Sequence, residues 1–116
     1  MLEELKHRSL EVWKLSRNLV KDIYLISRQF PEFEQYCLTS HMRRTSISIL
    51  SNISEGAGRK TLNDRKRFYI IARASLTELD AQLQIALDLD YFKRDEAKDI
   101  ENKMRSIFKL LTAMLK

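Results

Sequence analysis

Six basic side chains fall within fifteen residues: Arg59, Lys60, Arg65, Lys66, Arg67 and Arg73, against one acid, Asp64. Guanidinium and ammonium groups at this density attract polyanions, phosphodiester backbones above all, and speed their encounter. The flanking segments nearly cancel, at +1 for residues 1–58 and −1 for residues 74–116, so the net charge of +5 is that of residues 59–73. Gly56 and Gly58 precede the cluster and place it at a turn into a helix. There the positive end of the helix dipole adds to the side-chain charge. Structured nucleic acid is the ligand class this pattern fits, RNA or DNA alike, because phosphate contacts position without reading bases. Aromatic residues are sparse around the cluster, so stacking on single-stranded bases is not expected.

Residue types that make and break bonds do not assemble. Gly56 and Gly58 are the only glycines, and neither opens a phosphate loop or a Gly-x-Ser-x-Gly elbow. His7 and His41 are far apart, and no Glu-x-x-His pair exists to hold a di-metal centre between helices. Neither histidine follows an arginine by four to six residues, the spacing of some helical-bundle RNases. Cys37 has no identifiable base beside it. A non-enzymatic chain without metal or cofactor is therefore expected; a nuclease lacking a recognisable motif is the enzymatic alternative.

A second unusual stretch runs from Arg43 and Arg44 through Ser48, Ser51 and Asn52 to Glu55 and Gly56, with small hydroxyl residues alternating with isoleucines. Small residues let helix backbones approach closely, and a buried Asn or Glu must find hydrogen-bond partners. Arg73, Ser75, Glu78 and Gln82 in the following helix are candidates. A structural role is the favoured reading, and a ligand site the rival.

Four helices must position these groups. The spacing of Val12, Leu15, Leu19, Ile23, Ile26 and Phe30 predicts a helix over about 10–30, stopped by Pro31. A second helix over about 38–55 is apolar on several sides, with Met42, Ile47, Ile49, Leu50 and Ile53. It should end in a left-handed glycine cap at Gly56 and Gly58. The third, about 62–90, opens on Thr61 as N-cap and carries the seam Tyr69, Ala72, Leu76, Leu79, Leu83 and Ala86. The fourth, about 95–115, carries Ala97, Ile100, Met104, Ile107, Leu111 and Met114. Short connections between such helices imply an all-α, antiparallel up-down-up-down four-helix bundle. The breadth of apolar surface on the first two helices suggests that copies of the chain associate.

Composition agrees. At 116 residues one domain over residues 1–116 is expected; 44% hydrophobic and 32% charged residues describe a soluble globular chain rather than a disordered one. Two glycines and one proline are too few for a β-sandwich. The lone cysteine excludes an intrachain disulfide and suits a reducing, cytoplasmic compartment. Met1 to Lys6 holds acids and no apolar core, unlike a signal peptide.

The segment Ser51-Asn52-Ile53-Ser54-Glu55-Gly56-Ala57-Gly58-Arg59 resembles the hallmark of the 23S rRNA intervening-sequence proteins. Val12-Trp13-Lys14, Phe30-Pro31, Leu38-Thr39-Ser40 and Arg67-Phe68 followed by Ala72-Arg73-Ala74-Ser75-Leu76 and Glu78-Leu79 agree with it. The resemblance implies a bacterial four-helix bundle that assembles as a homopentamer. A related accessory protein of diversity-generating retroelements binds nucleic acid and a reverse transcriptase. The resemblance brings no catalytic residues with it. Two functional expectations follow: binding of RNA or DNA through the basic cluster, or an interaction scaffold that docks an acidic protein partner.

Overall fold

A computed structural model describes residues 10–116; the Met1 to Lys6 stretch and His7 lie outside the described residues. It contains four α-helices, α1 (Glu11–Ser27), α2 (Leu38–Ala57), α3 (Leu62–Asp88) and α4 (Lys98–Met114), and no strand among the described residues. Each helix packs on its neighbour in the chain, and α4 closes on α1. The pairings fix the antiparallel order. Trp13 near the start of α1 donates from Nε1 to Ser54 Oγ near the end of α2 at 2.8 Å, while Arg43 Nε meets Ser27 Oγ at 2.9 Å at the other end. Arg73 of α3 reaches Thr112 of α4 at 3.3 Å, and Lys103 of α4 forms an ion pair with Asp22 of α1. With 27 residues, α3 is roughly 40 Å long and sets the 43 Å long dimension of the molecule.

The heptad-like seams face inward. All six seam residues of α3 are buried, as are Ala97, Ile100, Met104, Ile107 and Leu111 on the α4 side. Met42, Ile49 and Ile53 of α2 are completely buried inside this one bundle, leaving only Ile47 of its isoleucines exposed. Exposed aliphatic residues gather instead on α3 and its C-cap, at Ile70, Ile71, Ile85 and Leu89. The buried hydroxyls of Thr45 and Ser46 bond back to His41 O and Arg43 O of their own helix, so α2 can bury them without partners elsewhere.

The helix ends differ from the sequence reading in instructive ways. α1 stops at Ser27, because Arg28, Gln29 and Phe30 donate to carbonyls three residues back and tighten the chain ahead of Pro31. α2 starts at Leu38, with Cys37 at the cap position and the Glu34 carboxylate accepting from Leu38 N at 3.4 Å. The fourth helix opens with a 3₁₀ turn, Arg94–Ala97, before α4 proper. Glu96 in that turn accepts from Lys93 N and from Gln29 Nε2, and these bonds hold its carboxyl below the ordinary range. Thr61 caps α3 as expected, its Oγ1 accepting from Asp64 N at 3.2 Å.

The expected left-handed glycine cap on α2 is not there: Gly58 has φ −84° and no glycine has positive φ. Gly56 is required for space instead, since a Cβ on it would stand 2.6 Å from Tyr69 Cε1. The left-handed cap belongs to α3, at Asp90 with φ 60°. Tyr91 N donates to Ala86 O and Asp90 N to Leu87 O, both at 3.0 Å, which is the Schellman pattern. A side chain in this conformation is strained and glycine is not. Asp90→Gly should therefore raise the unfolding free energy by about 0.5–1 kcal/mol, and Asp90→Val lower it by about 1–2 kcal/mol. The midpoints of urea unfolding curves measure both.

Candidate nucleic-acid interface

The turn between α2 and α3 is only a few residues long, so it crowds five of the six basic residues together. Arg65 reaches back over it. Its Nε donates to Arg59 O at 2.8 Å and its Nη2 to Lys60 O at 3.4 Å, tying the start of α3 to the carbonyls of the connecting turn. Its charge also pulls the Tyr69 phenol down, against burial, which pushes it up more. Phe68 forms a platform: the guanidiniums of Arg59 and Arg67 lie 4.7 Å and 4.6 Å from its ring centre. Asp64 sits between the same two arginines, 3.1 Å from Arg67 and 3.9 Å from Arg59, and Glu55 holds Arg59 at 2.8 Å. Two carboxylates thus offset part of the charge, a subtraction the cluster's own tally of one acid understates. Among the described residues, Lys60 and Lys66 have no hydrogen bond or ion pair on their ammonium groups.

Arg73 stands apart. It shares a helix face with Lys66, seven residues on, but its Nη1 is on Thr112 Oγ1 and its guanidinium lies 5.8 Å from the Phe108 ring centre, against α4. A groove of ≈ 470 Å³ opens further along between α3 and α4, over Leu83, Phe92, Met104 and Phe108. Among the described residues no group of three or more His, Cys, Asp or Glu could hold a metal ion, and no helix is long and apolar enough to cross a membrane. Cys37 is exposed.

The Ser-rich segment lies along the α2–α3 contact. Ser48 Oγ meets Ser75 Oγ at 3.1 Å, and Asn52 Nδ2 donates to Ser48 O at 2.8 Å and Ser48 Oγ at 3.2 Å. Glu78 pairs with His41 at 3.0 Å, and Gln82 donates to Thr45 at 3.1 Å. Arg43 closes the far end of α1, with its guanidinium 4.8 Å from the Tyr24 ring centre, while Arg44 is exposed and unpaired. The partners differ from those expected. Asn52 bonds within its own helix, and Glu55 is exposed on Arg59 rather than buried against α3.

Residues 8–113 match the family described as 23S rRNA-intervening sequence protein. The chain belongs to this family. Its fold is shared by a protein of unknown function from the S23 ribosomal protein family of Bacteroides thetaiotaomicron. The crystal structure of that protein is similar with a TM-score of 0.82 and 23% identity, over 90% of this chain and 98% of that one. No curated protein matches.

In this member of the intervening-sequence family, Phe68 is the residue that sequence reasoning missed. Its signal was present, as an aromatic directly after Arg65-Lys66-Arg67. The geometry also divides the basic residues by role. Arg65→Ala should destabilise the fold by about 1–3 kcal/mol, because a charged donor to two carbonyls is lost. Lys60→Ala, at an exposed site, and Lys66→Ala, at a half-buried one, should each stay within about 0.5 kcal/mol of the parent, since neither ammonium has a partner among the described residues. Chemical denaturation of the three variants tests the division.

Proposed function

We propose that this intervening-sequence protein is a non-enzymatic, homo-oligomeric bundle that binds structured RNA or DNA through the basic turn between α2 and α3. The observation that carries the reading is the state of the turn itself. Arg59 and Arg67 are held over Phe68, and beside them Lys60 and Lys66 have no protein partner for their charge. The rRNA in the family's description points to the same ligand class. Without exposed rings in the turn, phosphate contact outweighs base stacking, and sequence specificity is low.

Association is supported by α3, which has two apolar rows. The inner seam fills the bundle; the outer row, Ile71, Ala74, Ala81, Ile85 and Leu89, is exposed and is interrupted chiefly by Glu78. A closed ring, of five copies by the family resemblance, would cover this row and repeat the basic turn around one rim. Light scattering at micromolar concentration should give a multiple of 13.8 kDa, and Ile85→Glu with Leu89→Glu should return the monomer. A wild-type monomer would contradict association.

An accessory role in docking an acidic protein, such as a reverse transcriptase in related systems, is the second reading. Phe33 and Tyr36, 76% and 87% exposed at the opposite end of the bundle, are ready protein contacts, while Glu32 and Glu34 beside them leave the attraction for an acidic partner to the basic turn. Titration of a labelled 20-base-pair RNA duplex at several salt concentrations separates the two. Lys60→Gln with Lys66→Gln should flatten the slope of log affinity against log salt by roughly 1.4–1.8 units, and Lys98→Gln with Arg105→Gln should leave it unchanged. Equal effects from both pairs, or no duplex binding, would remove the turn as the interface.

A further inference from the structure

The N-terminal half of the chain nearly cancels in charge, with eight basic and seven acidic residues up to Gly58. Folding separates them. Lys14, Arg17, Lys21 and Arg28 follow one another at three, four and seven residues along α1 and its C-cap, and all four are exposed. At ~100° per residue they fall within about 60° of one another around the helix, in a stripe roughly 21 Å long. None of the four makes an ion pair among the described residues.

The acids are turned elsewhere. Asp22 faces α4 and is paired with Lys103. Glu34 accepts from the Tyr91 hydroxyl at 2.7 Å, a bond that raises the Tyr91 pKa, and Glu55 is held by Arg59. Among the described residues Glu11 and Glu32 remain, one at each end of the stripe; Glu3 and Glu4 lie outside the described residues. On the neighbouring flank, α2 adds Arg43, which bonds to Ser27 and the Tyr24 carbonyl of α1, and α2 contributes no carboxylate before Glu55.

The rings along this flank are already engaged by cations. Arg17 lies 5.8 Å from the Trp13 ring centre, and Arg43 lies 4.8 Å from that of Tyr24. Such a surface offers charge to a backbone rather than an open ring face to an unpaired base. Trp13 packs beside the end of α2, so the stripe starts at the same end of the bundle as the basic turn.

We propose that the α1–α2 flank is a second phosphate-binding surface, along which a nucleic-acid duplex lies parallel to α1, continuing from the turn. Lys14, Arg17, Lys21 and Arg28 contact the backbone. At 3.4 Å of rise, the stripe matches about six base pairs. The inference rests on the nucleic-acid reading given above and adds a site to it.

The test uses the full chain and a 20-base-pair duplex as RNA and as DNA, with the single strand and phosphatidylserine vesicles as further probes. Lys14→Gln, Arg17→Gln and Lys21→Gln together should flatten the salt slope for both duplexes by roughly 2–3 units. They should weaken binding at least tenfold at 0.1 M salt, with oligomeric state and melting temperature unchanged. Acetylation of wild-type Lys14 and Lys21, read by mass spectrometry, should be suppressed by duplex; this holds even if the triple variant folds poorly. An unchanged slope with unprotected lysines, while the Lys60 and Lys66 variant loses affinity, overturns the inference and leaves the turn as the interface. A wild-type protein that binds no duplex overturns both. Tighter binding to the single strand, or to vesicles, by way of the same three residues overturns the duplex as occupant.

Discussion

The close approach of α2 to α3 is the contact on which the rest of this bundle depends. It is possible because the facing positions are small or bond to one another. Gly56 leaves room for the Tyr69 ring, Ser48 meets Ser75, and Thr45 accepts from Gln82. A single added Cβ at Gly56 would sit 2.6 Å from Tyr69, well inside van der Waals contact, and would force the helices apart at the end where the turn is made. The hydroxyls do not oppose this packing, because those of Thr45, Ser46 and Ser54 are satisfied within α2. The Ser-rich segment by which the family is recognised is therefore chiefly the surface of a helix–helix contact.

That contact also shapes the basic turn. With α2 and α3 held close, the connection is tight, and a long planar donor can reach back across it to the carbonyls of Arg59 and Lys60. Arg65 is that donor. Arg59 and Arg67 are ordered by Phe68 and Asp64, so their guanidiniums keep little rotational freedom. The two lysines keep their charge in water. One short segment thus holds the turn and presents charge, and its arginines divide between these tasks by which carbonyl or ring lies within reach.

Charge and apolar surface follow the same logic on the remaining faces. α4 takes Asp22 from α1 through Lys103, which leaves the outer side of α1 cationic although the helix itself holds both signs. α3 spends one apolar row on its own core and exposes another. Neither surface is a property of a sequence window; each is made when a neighbouring helix covers part of a mixed helix.

The sequence by itself determined the helical class, the number of helices and their inner faces, because a 3.6-residue period and breaks at Pro31, at Gly56 to Gly58 and around Asp90 to Asp95 are local signals. It also determined that α3 would be capped by Thr61 and that the turn would be basic. Only the tertiary structure decided which residues are strained, paired or free. The left-handed position is Asp90 rather than a glycine, since the reversal into Tyr91 and Phe92 requires it there; Gly56 is fixed by a ring from another helix. Glu55 is exposed, Arg73 turns to α4, and the cations of α1 form a stripe free of ion pairs among the described residues. Each of these depends on distances between residues far apart in the chain. Periodicity places a side chain on a face, but the partner that face meets is set by how the helices pack.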